Sequence, residues 1–289
     1  MKIKITRFRV FSALAIAILA GASIFSYVLA NSPATVTDNF SDSTKIASSA
    51  QVTVASGVVT LSAASTFSCG SSLVDSRDGK TYATVTIGTQ CWMAQNLNIG
   101  TRVAGSATQT KTCAASDGSD IQKYCYSDLD SNCTRNTTTH TDGGLYQWDQ
   151  AMCNSTTAGA QGICPTGWHV PTHDELTTME RAVCVAGGTA SATCDTTFPI
   201  NVITTGWLGT AANEGTRLKN GGSTGFNGLL SGYRFTDGTF SNLTATMYFW
   251  SSVQSTSNAW RRGLDSSYAT VYRYTSSKAL GFSVRCLKN

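Results

Sequence analysis

The sequence predicts an α+β domain, and three observations carry this reading. Past the Asp78-Gly79 turn signal, TYATVTIG alternates β-branched residues with others, the two-residue period of a strand. Two segments in the middle of the chain repeat apolar residues at helical spacing. Beyond Leu218 come short apolar runs separated by Gly, Ser, Thr and Asn: GFNGLLSGYR, MYFWSSV, AWRRGL, TVYRY and GFSVRCL. These read as antiparallel strands joined by loops. A strand, then two helices, then many strands segregates α from β.

The chain begins with Lys2, Lys4, Arg7 and Arg9, followed by an apolar run from Val10 to Leu29. Val28 and Ala30 occupy the −3 and −1 positions of a cut after Ala30. Residues 1–30 therefore read as a secretory signal peptide. Uncleaved, they form an N-terminal anchor, since ~20 apolar residues span a bilayer. Either way the remainder is exported, and the expected location is secreted or cell-surface. Residues 31–65 are rich in Ser, Thr, Ala and Val. QVTVASGVVTLS places Val52, Val54, Val59 and Leu61 around Ser56-Gly57, a hairpin pattern too small to bury a core alone, so this region is a stalk or a docked hairpin. All six Trp, all ten Cys and every Tyr but Tyr27 lie further on, which sets the folded domain at 66–289.

Within that domain, GGLYQWDQAMC places Leu145, Trp148 and Met152 on one helical face. The second helix starts after Pro171. Thr172 and Glu175 form a capping box, and Leu176, Met179 and Val183 supply the buried stripe.

Charged residues make up 13% of the chain, about half the usual ~25%. Of 21 Lys and Arg, four lie in the first ten residues, leaving 17 cations against 17 acids. The body is neutral, with no electrostatic footprint for nucleic acid or anionic lipid; membrane contact is expected only through an uncleaved N-terminal segment. The GG pairs at 143, 187 and 221 lack the Lys-Ser/Thr of a phosphate loop, and no cofactor motif is present. His169 and His173 are four apart, but Pro171 between them disfavours one helix aligning both rings, so no metal site is expected. Asp174 and Glu175 beside His169 fit a helix start electrostatically rather than a catalytic cluster.

Ten cysteines in an exported chain favour disulfides, because that compartment is oxidising. Cys125 and Cys133 bracket a short turn-rich loop, as do Cys184 and Cys194, so each is expected to pair with its neighbour. The other six close longer loops, and spacing does not rank them.

The blocks VDSRDGKTYATVTIGTQCWMAQNL, YCY with NC, GGLYQWDQAM, GICPTGWHVPTHDEL, GFNGLLSGYR, FWSS and GFSVRCLKN occur in order over nearly all of 69–289. In them the chain resembles the Fibrobacter succinogenes major paralogous domain family, exported proteins that mostly lack an assigned activity. The resemblance implies a C-type lectin-like fold: two helices, a small twisted antiparallel sheet and long loops presenting a ligand surface. It also implies that Cys164 pairs with Cys286 and Cys69 with Cys91, leaving Cys113 and Cys153. The acidic and amide residues that hold calcium in sugar-binding lectins are not reproduced between MYFWSSV and GFSVRC. Some proteins resembling this family are targets of diversity-generating retroelements, which mutate adenine-containing codons. Arg261 to Ser277 holds no Lys, Glu, Gln, Met or Trp, consistent with such a stretch.

The terminal segment mixes Tyr, Arg and Trp with small polar residues, a palette suited to recognition. The expected ligand-binding residues are Trp260, Arg261, Arg262, Gly263, Tyr268, Tyr272 and Tyr274. Strand alternation turns Leu264 and Val271 inward with Phe282 and Val284, and Arg261, Gly263 and Tyr272 outward. The function implied is recognition of an extracellular protein or glycan. Two alternatives are a structural adhesion protein and an enzyme of the formylglycine-generating type. The latter needs a reactive cysteine pair near the C-terminus, and none sits close together there.

Overall fold

The computed structural model describes residues 67–110, 112–134, 142–200 and 204–289, and of residues 1–66 only the backbone of five strands. The chain divides into two compact units, Met1–Phe67 and Ser68–Asn289. In the first, the strands are β1 (Ile5–Arg7), β2 (Ser26–Val28), β3 (Ala34–Val36), β4 (Ala50–Ala55) and β5 (Val58–Ala63). β1 pairs with β3, and β2-β5-β4 form a three-stranded sheet. Val52 lies opposite Leu61 and Val54 opposite Val59, so the alternating residues face one another along the antiparallel pair. Apart from these backbone strands, the signal-peptide and stalk readings fall outside the described residues.

The second unit opens with two hairpins. β6 (Leu73–Val74) and β7 (Thr81–Tyr82) meet across the turn at Gly79, whose φ of 71° is easily reached only by glycine. β8 (Thr84–Ile87) and β9 (Gln90–Met93) follow. TYATVTIG, expected as one strand, is thus shared between β7 and β8. β10 (Thr101–Arg102) and β11 (Gln122–Lys123) pair in parallel, and α1 (Asp130–Thr134) follows.

Of the two expected helices, the first is shorter than its apolar spacing suggested. α2 (Trp148–Ala151) is a single turn, and Leu145 precedes it, bridged through its backbone to Tyr124. Gln147, the N-cap, is already extended, so Leu145 cannot lie on that helical face. After β12 (Trp168–His169), α3 (His173–Ala186) carries the expected capping box: Thr172 Oγ1 accepts from the Glu175 backbone N–H, while the Glu175 carboxylate accepts from the Thr172 N–H. Leu176, Met179 and Val183 are buried.

α4 (Ser191–Thr197) winds part of the loop between Cys184 and Cys194 into a helix. β13 (Gly206–Leu208), α5 (Glu214–Leu218), β14 (Ser231–Arg234), β15 (Phe240–Leu243), β16 (Thr246–Ser255), β17 (Asn258–Asp265), β18 (Val271–Ser277) and β19 (Leu287–Lys288) complete the unit.

The largest sheet has six strands in the order β13-β18-β17-β16-β14-β15, and a second has four, β12-β19-β9-β8. The large sheet is not purely antiparallel, because β14 and β16 pair in parallel at Gly232 and Met247. α3 packs on its inner face, where Leu176, Met179 and Val183 join Met247, Phe249, Leu264 and Val271, with Trp92 and Leu287 from the smaller sheet. Removal of this apolar surface from water is the main stabilising term.

All ten cysteines are paired: Cys69–Cys91, Cys113–Cys153, Cys125–Cys133, Cys164–Cys286 and Cys184–Cys194. Cys164–Cys286 closes 122 residues and ties the centre of the unit to its end.

Candidate functional site

β17 and β18 pair antiparallel with Arg262 opposite Arg273 and Gly263 opposite Tyr272. Alternation then divides their residues between two faces. Trp260, Arg262, Leu264, Val271 and Arg273 face α3. Arg261, Gly263, Tyr272 and Tyr274 face away.

The inner face holds an ionic cluster that excludes two of the expected ligand-binding residues. Arg262 is fully buried, and its Nε donates to Glu180 Oε1 at 2.5 Å. Arg273, also buried, donates to Glu180 Oε2 through Nε at 3.1 Å and Nη2 at 2.5 Å. Thr177 Oγ1 accepts from both guanidinium groups. His173 Nδ1 lies 3.3 Å from Arg262 Nη1, and since a guanidinium can only donate, that nitrogen accepts. Burial, with the charges of Arg262 and Arg273, pushes the His173 imidazole down to about 3. Trp260 is buried too, edge-on to His173 with ring centroids 4.7 Å apart. Trp260 and Arg262 are therefore core residues, placed there by the same alternation that turns Leu264 inward. Phe282 requires a correction as well. It is buried, but beside Tyr248 and Trp250 rather than in the cluster with Leu264 and Val271.

The outer face is aromatic. Trp207 of β13 lies opposite Tyr272, Tyr272 opposite Gly263, and Gly263 opposite Tyr248 of β16. This is a row across four strands, continued by the Tyr233 ring of β14, 5.0 Å from Tyr248. Tyr268 stacks on Trp207 at 3.9 Å and 13°, and Trp207 contacts Tyr272 at 4.8 Å. Tyr272 and Tyr274 are near parallel, 5.7 Å apart. Tyr268 is 47% exposed, Tyr274 44% and Trp207 37%. Each such ring pair contributes about 0.5–1.5 kcal/mol beyond burial and holds its neighbours in place. Gly263 supplies the space: a Cβ there would meet Tyr248 Cε1 at 2.9 Å and Tyr272 Cβ at 3.1 Å.

Arg261 sits under this row. Its guanidinium lies 3.7 Å from the Tyr248 ring centroid and 5.1 Å from that of Tyr272. Nε donates to Ser276 Oγ at 2.7 Å. It faces outward as alternation requires, yet it is only 7% exposed, because the surrounding rings cover it. Gly263 is likewise covered. Of the expected set, Tyr268 and Tyr274 are exposed, Tyr272 half-buried, and Arg261 and Gly263 lie beneath. Sequence reasoning missed Trp207, Tyr248 and Tyr233. Trp207, a lone Trp among the small residues of TTGWLGT, offered the clearest signal.

A second polar cluster lies where α3 begins. His169 Nδ1 is 2.6 Å from Asn289 Oδ1, and its Nε2 is 3.0 Å from the Glu175 carboxylate, which also accepts from Thr172. Burial lowers the His169 pKa, but the hydrogen bonds to Glu175 and Asn289 outweigh it and leave it raised. The arrangement fastens the last residue to the start of α3, and the Glu175 oxygens are engaged in doing so. Among the described residues no group of three His, Cys, Asp or Glu side chains could hold a metal ion, and no helix is long and apolar enough to cross a membrane.

Comparison with curated proteins and with solved structures returns no match. The family profile described as the Fibrobacter succinogenes major domain matches residues 85–288. That span takes in β9, α3, the six-stranded sheet and the aromatic face, and the chain belongs to this family.

Proposed function

We propose that this chain is an exported or surface-displayed recognition protein with a lectin-like fold, and that the outer face of the six-stranded sheet is where it binds its ligand. The observation that carries the reading is the contiguous row Tyr268, Trp207, Tyr272 and Tyr274, preordered by stacking, with Tyr268, Trp207 and Tyr274 open to solvent and Tyr272 half-buried between them. A chain that needed these rings only for stability would bury them, as it buries Trp92, Trp148 and Trp250. Tyr and Trp supply large contact area with few rotors to freeze on binding. The bridge from Cys164 to Cys286 and the packing of α3 behind the sheet support a rigid frame for such a face. Any diversification between Arg261 and Ser277 is confined by the fold to the outward positions, because Arg262, Leu264, Val271 and Arg273 are core.

The test is affinity electrophoresis of the full chain through gels containing a panel of neutral and acidic polysaccharides. The wild type is expected to be retarded by at least one, and the variant Trp207→Ala, Tyr268→Ser, Tyr272→Ser, Tyr274→Ser to run free while melting cooperatively. Equal retardation of the two proteins overturns the reading.

A further inference from the structure

Five arginines are buried among the described residues, and four are accounted for. Arg262 and Arg273 share Glu180. Arg285 donates to Asn96 Oδ1 and to the carbonyls of Met93, Phe226 and Asn227. Arg234 donates to the carbonyls of Gly105 and Ala279. Arg261 differs. Its Nη1 is buried without a hydrogen-bond partner, and no carboxylate among the described residues pairs with it. An unmet buried donor costs about 1–3 kcal/mol, and more when it is charged. Stacking on Tyr248 offsets part of this, since a guanidinium over a ring gains roughly 0.5–2 kcal/mol. It gives Nη1 no acceptor. The unmatched group lies on the outer face, under the aromatic row.

We propose that Arg261 is the carboxylate-recognising residue of this face and that the ligand is an acidic polysaccharide built from uronic acid units. The inference rests on the preceding reading that the outer face binds ligand. A uronate offers all that the face lacks: a carboxylate to accept from Nη1, C–H faces to lie against Tyr and Trp, and hydroxyls for the phenols. Charge-assisted hydrogen bonds from a guanidinium to a carboxylate are roughly twice as strong as neutral ones. Tyr274, directly across from Arg261 in the strand register and largely exposed, is the part of the cover that a rotamer change opens.

The dimensions favour a polymer over a folded partner. The row crosses five strands at about 4.8 Å spacing, a strip about 19 Å long. Its three exposed rings, Trp207, Tyr268 and Tyr274, open roughly 190–320 Å², taking 150–250 Å² per ring. A stable protein interface needs about 800 Å² on each side. A narrow strip with one buried cation matches an extended, periodically charged chain.

The experiment is isothermal titration of the full chain with polygalacturonate, its methyl ester, neutral galactan and polyglutamate. The ester keeps the sugar backbone and removes the charge, so this comparison stands even if an Arg261 variant misfolds. The expected result is binding to polygalacturonate at least tenfold tighter than to the ester, with no matching affinity for polyglutamate. Arg261→Gln is expected to erase the difference and Arg261→Lys to restore part of it. Tyr-dependent binding of galactan or the ester at undiminished affinity overturns the acidic ligand while leaving the binding face intact. Equal affinity for polyglutamate overturns the polysaccharide, and an unchanged preference in a folded Arg261→Gln overturns the residue. Failure of all four polymers to bind overturns this proposal, and the polysaccharide panel then judges the face separately.

Discussion

Replacing Glu180 by Gln removes the one carboxylate that two buried guanidinium groups share, with little change of shape. Glu180, Arg262 and Arg273 side chains are all fully buried. Breaking a buried ion pair from one side costs about 3–5 kcal/mol, because the remaining charge stays desolvated. Here two charges are left, and the amide can offer an oxygen to one guanidinium only while its NH₂ faces the other. The loss should therefore lie at the upper end, about 5 kcal/mol. For a unit of this size each kcal/mol lowers Tm by roughly 2–4 °C, so a fall of roughly 10–20 °C is expected. Thermal unfolding of the oxidised protein, followed by circular dichroism, reads it directly. The triple replacement Glu180→Leu, Arg262→Met, Arg273→Met is expected to recover most of the loss, since apolar substitutes avoid desolvation altogether. A fall below about 3 °C for Glu180→Gln would mean that the cluster is not held by that carboxylate.

His173 is held to about 3 in the folded chain and returns to the ordinary value near 6.5 on unfolding. The unfolded state alone binds its proton between those values, so stability should fall as pH drops through that window, by up to about 1.4 kcal/mol per pH unit. Urea unfolding at successive pH values should show the slope, and His173→Asn should flatten it. Glu175, whose carboxyl is lowered by His169 and Thr172 against the opposing effect of burial, adds a loss of the same sign at the acid end. His169 acts oppositely, losing its stabilisation as pH rises through its raised pKa. Replacing Cys164 and Cys286 together by Ala opens a 122-residue loop, and the chain-entropy argument sets the cost at about 5 kcal/mol, measurable by guanidinium unfolding. Gly263→Ala should push Tyr248 off Arg261 and weaken polygalacturonate binding several-fold while the protein remains folded.

How far the fold could be read in advance varied with the physics of each signal. The capping box at Thr172 and Glu175 is local chemistry, and α3 begins where it says. The short spacings of Cys125–Cys133 and Cys184–Cys194 match the pairs in the structure. The GGLYQWDQAMC periodicity misled because three apolar residues also fit a strand bridge followed by one helical turn. Alternation along β17 told inward from outward positions correctly at Arg261, Gly263 and Leu264. It could not tell what covers a position, so Arg261 is outward yet buried. Arg262 and Trp260 read as contacts in the sequence because Arg and Trp are common in interfaces, yet both are core. The contrary signal was Glu180, a carboxylate on the stripe of Leu176, Met179 and Val183, where an acid needs buried cations for company. Trp207 was out of reach for another reason: it joins the row only through a strand pairing 65 residues distant, Trp207 with Tyr272.

Whether the aromatic row is the binding face is read most directly by hydroxyl-radical footprinting of the full chain with and without polygalacturonate. Protection is expected to concentrate on Trp207, Tyr268, Tyr272 and Tyr274, with the exposed Leu129 and Val185 elsewhere on the surface unchanged. Protein that binds the polymer while those four rings oxidise at their free rate would show that the row is not the binding face.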